Sequence, residues 1–315
     1  MINTKRINFA AYIAAIAYAA IIGFSFLFVK LTVTTAHPLD VLAHRFSIGL
    51  LAVAIPFLFG WVHSRFSLRD LWRIILLGLF SPVLFFAFQT YGLKNTSSSE
   101  AGIIQATVPI FTLSLASYFL KERTSLIQKL SLILSVAGVV LIFAMNGGSD
   151  LNAANLGGIS LLLLSALSFA CYSVLARPLA QKYAPMEITL ITMGVGCIVF
   201  LAASIFRHTT EGTISSFFQP FTQPTYVLAQ LYLGVLSSVG TTLLSSFALS
   251  RLEASKVSVF SNLSTLISIM AGALILHENI TIYHLLGTVM IIAGVLGTNR
   301  KQFQLKSNVN SRGDI

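Results

Sequence analysis

Apolar runs of about 20 residues recur along the whole chain of 315 residues. A helix of roughly that length crosses the ~30 Å hydrocarbon layer of a bilayer. In lipid only helices and closed barrels satisfy their own backbone hydrogen bonds, and these runs lack the alternation that is typical of barrel strands. The runs therefore predict an all-α integral membrane protein with many transmembrane helices.

The composition agrees with a protein that is buried in lipid. Charged residues make up only 10% of the chain and apolar residues 56%, whereas soluble domains carry about 25% charged residues. The net charge of +10 could indicate a nucleic-acid partner, but the basic residues are spread through short loops and form no single stripe. We expect no nucleic-acid partner. Cys171 and Cys197 lie inside apolar runs, which favours packing over a disulfide or a metal site.

Ten spans are predicted, and the basic residues between them predict an orientation. With the N-terminus inside, the inner loops and tails hold sixteen Lys and Arg residues, whereas the outer segments hold only Lys30, Lys94 and Arg207. Because inner loops of membrane proteins are enriched in Lys and Arg, both termini are predicted to be cytoplasmic in a cell (plasma) membrane. The spans, numbered 1 to 10, are 9–29, 39–60, 71–92, 100–120, 126–145, 157–177, 186–206, 225–247, 257–276 and 281–298.

The two halves of the chain resemble each other in sequence. The stretch from Tyr91 to Glu122, in which a polar hinge joins two apolar runs, returns 156 residues later from Phe247 to Glu278 without a gap. Around span 1 the matching offset is 147, with Lys30 opposite Arg177. This pattern predicts two five-helix repeats, at 9–145 and 157–298, with a linker at 146–156 and a cytoplasmic tail at 299–315.

An odd number of spans in each half means that the halves insert in opposite orientations. Inverted repeats of this kind are a recurrent architecture of secondary transporters, in which the solute binds near the middle of the membrane between the repeats. We therefore interpret the chain as ten transmembrane helices in two inverted five-helix repeats.

Several local patterns resemble the ten-helix EamA-type branch of the drug/metabolite transporter (DMT) superfamily. They are Gly23 to Lys30 in span 1, Pro38 and Arg45 around span 2, the Thr96-Ser97-Ser98-Ser99 hinge, Pro109 followed by Leu120-Lys121-Glu122, Gly138-Val139, Tyr172 to Arg177, Leu276-His277-Glu278 and Gly294-Val295. The resemblance departs at Ile22, where a tryptophan is common, at Thr265, where span 9 usually has a proline, and at Thr192, which stands where the first copy has Arg45.

The resemblance implies a fold, an activity and a partner class. It implies a central cavity lined by spans 1, 3, 4, 6, 8 and 9, and export of small organic metabolites such as amino acids without ATP. It implies no cofactor and no ATPase subunit, and the sequence contains no Gly-x-x-x-x-Gly-Lys phosphate-binding loop. The partners are then the lipid bilayer and a small organic solute, zwitterionic or aromatic in character.

Polar residues within the spans are the candidates for binding that solute, because they are costly in lipid unless they face water or partners. Span 9 carries a polar stripe in which Asn262 is the strongest candidate, and small residues at such spacing serve equally well for helix packing. Pro109 in span 4 removes a backbone hydrogen bond and frees a carbonyl near Gln105, which either binds a solute or permits bending, or simply marks a tolerated kink. The candidate cavity residues are Ser25, Arg45, Gln89, Tyr91, Gln105, Pro109, Tyr172, Thr241, Ser245, Ser258, Asn262 and Thr265.

Arg45 and Glu100 are the charged residues that most invite a functional interpretation. Arg45 either snorkels or pairs with a carboxylate as a structural residue, or captures the carboxylate of a solute. Glu100 either flanks its span at the outer mouth or couples transport to a proton or cation. Glu122 and Glu278 are expected to anchor loops and not to bind solute.

Three classes of function remain open at this point. A secondary transporter working by alternating access accounts best for the repeats, and a two-sided aqueous cavity would favour it. A flippase for a lipid-linked small head group would need a lateral opening to lipid, and a non-transporting membrane binding protein is the remaining alternative. An enzyme is not expected, because no catalytic or metal-spaced cluster of side chains is present in the sequence.

Overall fold

The structure is a computed structural model that describes residues 2–60, 67–119, parts of 126–141, 153–251, 254–278 and 280–310. Side chains are not described for 2–9, 116–119, 153–155, 251–262 and 298–310, nor at several other positions. All regular secondary structure in the described residues is helical, in agreement with the predicted all-α class.

Most of the predicted spans coincide with helices, and prolines begin three of them. Pro38, Pro185 and Pro224 each occupy the first helical position, where a missing N–H costs little. The helices are Ile2–Thr35, Pro38–Leu58, Leu68–Gly78, Phe85–Lys94, Ser98–Gln105, Val108–Phe119, Ala153–Lys182, Pro185–Glu211, Pro224–Leu231, Thr241–Arg251, Ala254–Ile275 and Ile282–Asn310.

Six helical stretches in the described residues are long and apolar enough to cross a membrane, and they correspond to spans 1, 2, 3, 6, 7 and 8. Spans 9 and 10 contribute shorter apolar helices, Leu263–Ile275 and Ile282–Gly294, within the described range. Most of span 5 lies outside the described residues. The structure therefore agrees with a multi-pass membrane protein, while the count of ten spans stays a prediction.

Three spans are not the continuous α-helices that their apolar runs suggest. Span 4 breaks between Gln105 and Val108, next to Pro109, where the sequence predicts a freed carbonyl and a bend or kink. Span 3 is kinked within Leu79–Leu84, where Ser81 has non-helical φ and ψ, and span 8 passes through a π-helical segment at Tyr232–Gly240. The last two interruptions correct the expectation of regular helices, and they arise where a proline or small polar residues weaken the helix.

The spans of one half pack mainly against spans of the other half. Span 1 contacts spans 8 and 9, span 6 contacts spans 3 and 4, and span 2 packs along span 7. In addition, span 2 contacts the interrupted part of span 8, and span 7 contacts that of span 3. Exchanging the halves converts each of these pairings into another pairing of the same set, so the packing has the pattern of an approximate two-fold axis.

Candidate solute-binding site

The kink in span 3 and the π-helical segment in span 8 lie at equivalent positions of the two halves. Ser81 departs from helical geometry, with φ −145° and ψ 117°, and the residue 156 positions later is Ser237, inside the π-helical segment of span 8. π-Helical turns inside α-helices occur frequently at functional sites. A pair of interrupted spans in corresponding positions of two halves is also the pattern that marks the binding site of many transporters.

Close glycine contacts surround both interruptions. A Cβ atom added to Gly234 in span 8 would lie 2.8 Å from Cγ2 of Ile48 in span 2, and one added to Gly78 in span 3 would lie 2.9 Å from Cβ of Val195 in span 7. Gly78 and Gly234 are 156 residues apart, and Ile48 and Val195 are 147 apart. The same contact thus occurs twice, each time between the two halves, and holds an interrupted span of one half against a span of the other.

Arg45 of span 2 is buried beside the interruption in span 8, with only 1% of its surface exposed. Its Nε donates to Oγ of Ser238 at 3.0 Å and its Nη2 to Oγ of Ser237 at 3.0 Å. The guanidinium carbon lies 4.0 Å from the centre of the Phe86 ring, a cation–π distance. The Nη1 atom is buried without a hydrogen-bond partner in the described structure.

This environment matches neither of the two structural roles considered for Arg45, which were snorkelling and pairing with a carboxylate. The side chain does not snorkel, because it is buried and its Nε and Nη2 donate to Ser238 and Ser237 of span 8. Its described hydrogen-bond partners are hydroxyl groups, and no salt bridge to a described carboxylate is present. The equivalent position in the second half is Thr192, whose hydroxyl donates to the carbonyl of Ile188 in its own helix.

The polar stripe on span 9 joins spans 4 and 9 in the described part. Thr265 donates to the carbonyl oxygen of Gly102 at 3.0 Å, and Ser268 donates to that of Ser98 at 2.8 Å. A Cβ atom on Gly102 would lie 2.5 Å from Oγ of Ser268. For Thr265 the packing interpretation therefore describes the structure better, and the side chains of Ser258 and Asn262 lie outside the described residues.

The Glu278 carboxylate also connects spans 4 and 9, at the end that is predicted to face outside. One oxygen accepts from the backbone N–H and hydroxyl of Ser98, at 2.7 and 3.0 Å. The other oxygen accepts from the N–H and hydroxyl of Ser99, at 3.1 and 2.5 Å. Because these N–H groups begin helix Ser98–Gln105, the negative charge also meets the positive end of a helix dipole. We call this arrangement the Glu278 clamp.

His277 makes the clamp geometrically feasible. Its φ of +53° lies in the left-handed region that commonly ends a helix. The N–H of Glu278 then donates back to the carbonyl of Gly272 at 3.1 Å. The chain reverses within three residues and directs the carboxylate towards span 4.

The remaining candidates are placed as follows. Glu100 accepts from the N–H of Ser97 at 2.9 Å, which completes a capping box at the start of helix Ser98–Gln105; its coupling role stays a prediction. Ser25, Thr241 and Ser245 donate to carbonyls of their own helices. Gln89 is buried, and Tyr91, Gln105, Pro109 and Tyr172 are half-buried.

A polar cleft of about 380 Å³ lies at the end predicted to face outside. The buried Asp40 accepts there from the hydroxyl of Ser204 at 2.5 Å and from Nη2 of Arg207 at 2.7 Å. His37 lines the same cleft, and its Nδ1 accepts from the N–H of Leu39. Burial, aided by the charge of Arg207, lowers the pKa of His37, which keeps the ring neutral and able to cap span 2.

A second cleft of about 330 Å³ lies at the opposite end, between the beginning of span 3 and the end of span 6. Lys182 forms an ion pair with Asp70 there, and the hydroxyl of Tyr183 donates to the same carboxylate at 2.8 Å. The hydrogen bond with Asp70 raises the pKa of Lys182. These two clefts lie at the ends of the bundle, while Arg45 lies between them in packed protein.

Sequence reasoning missed Ser237, Ser238 and the partners of Glu278. A proline inside an apolar run was the available signal for the interruption at Pro82, as it was at Pro109. The Ser237-Ser238 pair between Gly234 and Gly240 was the equivalent signal in span 8. No local pattern connects Glu278 to Ser98, because 180 residues separate them.

A bundle of long apolar helices, two of them interrupted in corresponding places beside a buried cation, defines a polytopic membrane protein of the transporter type. The EamA-like transporter family matches residues 9–144 and again residues 156–300. The chain belongs to this family, and it is a transporter and not an enzyme.

Individual relatives support the same assignment. The chain is 50% identical over 289 residues to the uncharacterized transporter YcxC of Bacillus subtilis, covering 92% of each protein. It is 28% identical over 283 residues to an uncharacterized transporter of Archaeoglobus fulgidus, covering 89% of this chain and 95% of that protein. A solved crystal structure shares the fold with a TM-score of 0.59 at 18% identity, over 89% of this chain and 98% of that one.

Proposed function

We propose that the protein is a secondary carrier that moves small organic metabolites across the cell membrane by alternating access. In this proposal the repeats at 9–145 and 157–298 have opposite orientations, and both termini are cytoplasmic. Export of amino acids or related compounds is the activity to test first. The observation that carries the proposal is the pair of interrupted spans, 3 and 8, at equivalent positions on the two sides of the bundle.

The packing of the spans supports a mechanism in which the halves rearrange against each other. Contacts that exchange into one another when the halves are swapped allow two arrangements of similar energy, one open to each side. Alternating access in inverted repeats uses such a pair of states. Spans 4 and 9 are joined along their outer parts by the Thr265 and Ser268 hydrogen bonds and the Glu278 clamp, so in this proposal the two spans separate when the carrier opens to the outside.

Reconstitution into liposomes tests the proposal. Vesicles preloaded with an unlabelled solute are expected to accumulate the same labelled solute against its gradient, without ATP, because a carrier exchanges one molecule for another. The panel should contain amino acids, other carboxylates, organic phosphates, nucleosides and amines. Ile198→Ala is a matched control, since this side chain is 71% exposed on the surface of span 7.

Two outcomes would contradict the proposal. Vesicles with and without protein that take up every labelled solute at the same rate would exclude transport of these classes. Uptake that neither saturates nor responds to preloading would indicate a channel, because a carrier must complete a cycle for each solute.

A further inference from the structure

Arg45 is a buried positive charge, and no carboxylate among the residues that the structure describes forms an ion pair with it. Each Asp and Glu of the sequence lies at the end of a predicted span, in a loop or in a tail. Asp40 lies five residues earlier on the same helix, but it is held by Ser204 and forms an ion pair with Arg207 at 2.7 Å. A buried charge without a partner is costly in a low-dielectric interior, so some other anion is expected to neutralise it.

The guanidinium also has N–H groups that have no hydrogen-bond partner in the described structure. Ser237 and Ser238 accept at Nη2 and Nε, and they use one N–H of each atom. Both N–H groups of Nη1 and the second N–H of Nη2 remain for a ligand. Parallel N–H groups on Nη1 and Nη2 match the two oxygens of a carboxylate.

From this arrangement we propose that the carboxylate of the transported solute binds end-on to Arg45, between spans 2 and 8. The inference rests on the proposed carrier function and names the substrate class of the same site. Binding supplies the missing counter-ion and satisfies the Nη1 donors, while the hydroxyls of Ser237 and Ser238 fix the plane of the guanidinium.

The charge balance favours a carboxylate over a phosphate. A monoanion neutralises the single positive charge, whereas a phosphate dianion would leave a buried negative charge unpaired. The second half offers Thr192 at the position equivalent to Arg45, so the pseudo-symmetric site has one cationic side. This asymmetry suits a solute that carries one carboxylate at one end.

The position of Arg45 links this binding to the conformational cycle. Its hydroxyl partners belong to the interrupted part of span 8, and a Cβ atom on Gly234 in that segment would lie 2.9 Å from the carbonyl oxygen of Arg45. Spans 2 and 8 must therefore separate slightly before an anion reaches Nη1. The carboxylate then bridges a movable segment to span 2, and the loaded carrier differs from the empty one at this contact.

Thermal-shift and binding measurements on the purified protein in detergent test the inference. The ligands are a panel of amino acids and other monocarboxylates, each with its methyl ester and its decarboxylated amine, together with organic phosphates and nucleosides. We expect the compounds that bind to be free carboxylates. We expect Arg45→Gln to weaken the binding of such an acid about 100-fold, because hydrogen bonds to a charged group are lost, and Arg45→Lys about 10-fold, because lysine is a point charge.

The methyl ester provides an internal control. The ester should bind more weakly than the acid to the wild type. Its affinity should not change in Arg45→Gln, since the ester never forms the charge pair. Ile198→Ala should bind acid and ester as the wild type does. Without ligand, Arg45→Met should melt at the wild-type temperature or above it, because an unpaired buried charge is replaced by an apolar side chain of similar length.

Three results would overturn the inference. Binding that is restricted to neutral or cationic compounds, or acid binding that is unchanged in Arg45→Gln, would reject it while the carrier function stands. A marked loss of thermal stability in ligand-free Arg45→Met, with acid and ester weakened equally, would assign Arg45 to packing. If no compound of the panel binds or exchanges in liposomes, the carrier function itself fails and the inference fails with it.

Discussion

Replacing Glu278 by alanine is expected to lower the free energy of unfolding by roughly 2–3 kcal/mol and to open the contact between spans 4 and 9. The carboxylate accepts four hydrogen bonds from Ser98 and Ser99. Hydrogen bonds to a charged group contribute about 1.5–3 kcal/mol each, and water replaces part of this at a half-buried site. The lost hydrogen bonds stabilise only the state in which spans 4 and 9 are in contact. Without them, the population shifts towards the state that is open at this end.

Two measurements check this expectation. Thermal unfolding in detergent reports the stability, and Glu211→Ala is the matched control, because its exposed ion pair with Arg207 spans one helical turn and contributes only ~0.3–0.5 kcal/mol. A cysteine placed at Ser268, which is 1% exposed, should react with an impermeant maleimide faster in the Glu278→Ala background. An unchanged labelling rate together with unchanged stability would show that the clamp does not hold these spans.

Gly234→Ala is expected to reduce transport at least tenfold and to cost about 1–3 kcal/mol of stability, the usual range for overpacking. The added Cβ would lie 2.8 Å from Cγ2 of Ile48 and 2.9 Å from the carbonyl oxygen of Arg45. Backbone atoms yield little, so span 8 has to move away from span 2. Ser237 and Ser238 then move away from the Arg45 guanidinium, and the site loses its geometry.

The control for this substitution is Gly194→Ala in span 7, where an added Cβ meets no atom within 4 Å. Alanine is the better helix former, so this variant should be neutral or slightly stabilising. Solute exchange in liposomes and thermal unfolding measure both variants. Equal activity and equal stability of Gly234→Ala and the wild type would contradict the close packing of spans 2 and 8.

The overall class of this fold follows from the sequence, because hydrophobic length and loop charge are local properties. Apolar runs of about 20 residues predicted the helices, and Pro109 predicted a bend or kink near the place where span 4 breaks. The same rule applied to Pro82 would have predicted the interruption in span 3. The repeat then leads from Ser81 to Ser237, so the second interruption was within reach of the sequence as well.

The partners of the polar residues were not predictable from local pattern. The spacing of Thr265 and Ser268 places them on one face of span 9, but it does not say whether that face meets water or span 4. Arg45 and Ser238 are 193 residues apart, and only the packing of span 2 on span 8 brings them together. Glu278 was expected to anchor a loop, and the structure adds that its anchor is the beginning of span 4.

Labelling of cysteines at His277 and Arg123 tests the central claim most directly, since these residues follow spans 9 and 4, which are equivalent in the two halves. Each cysteine is introduced singly into a background with Cys171→Ser and Cys197→Ser, and intact cells are treated with an impermeant maleimide. Opposite orientation of the halves predicts that the cysteine at 277 reacts in intact cells, whereas the one at 123 reacts only after permeabilisation. Reaction of both from the same side would contradict the inverted repeats and, with them, the proposed alternating access.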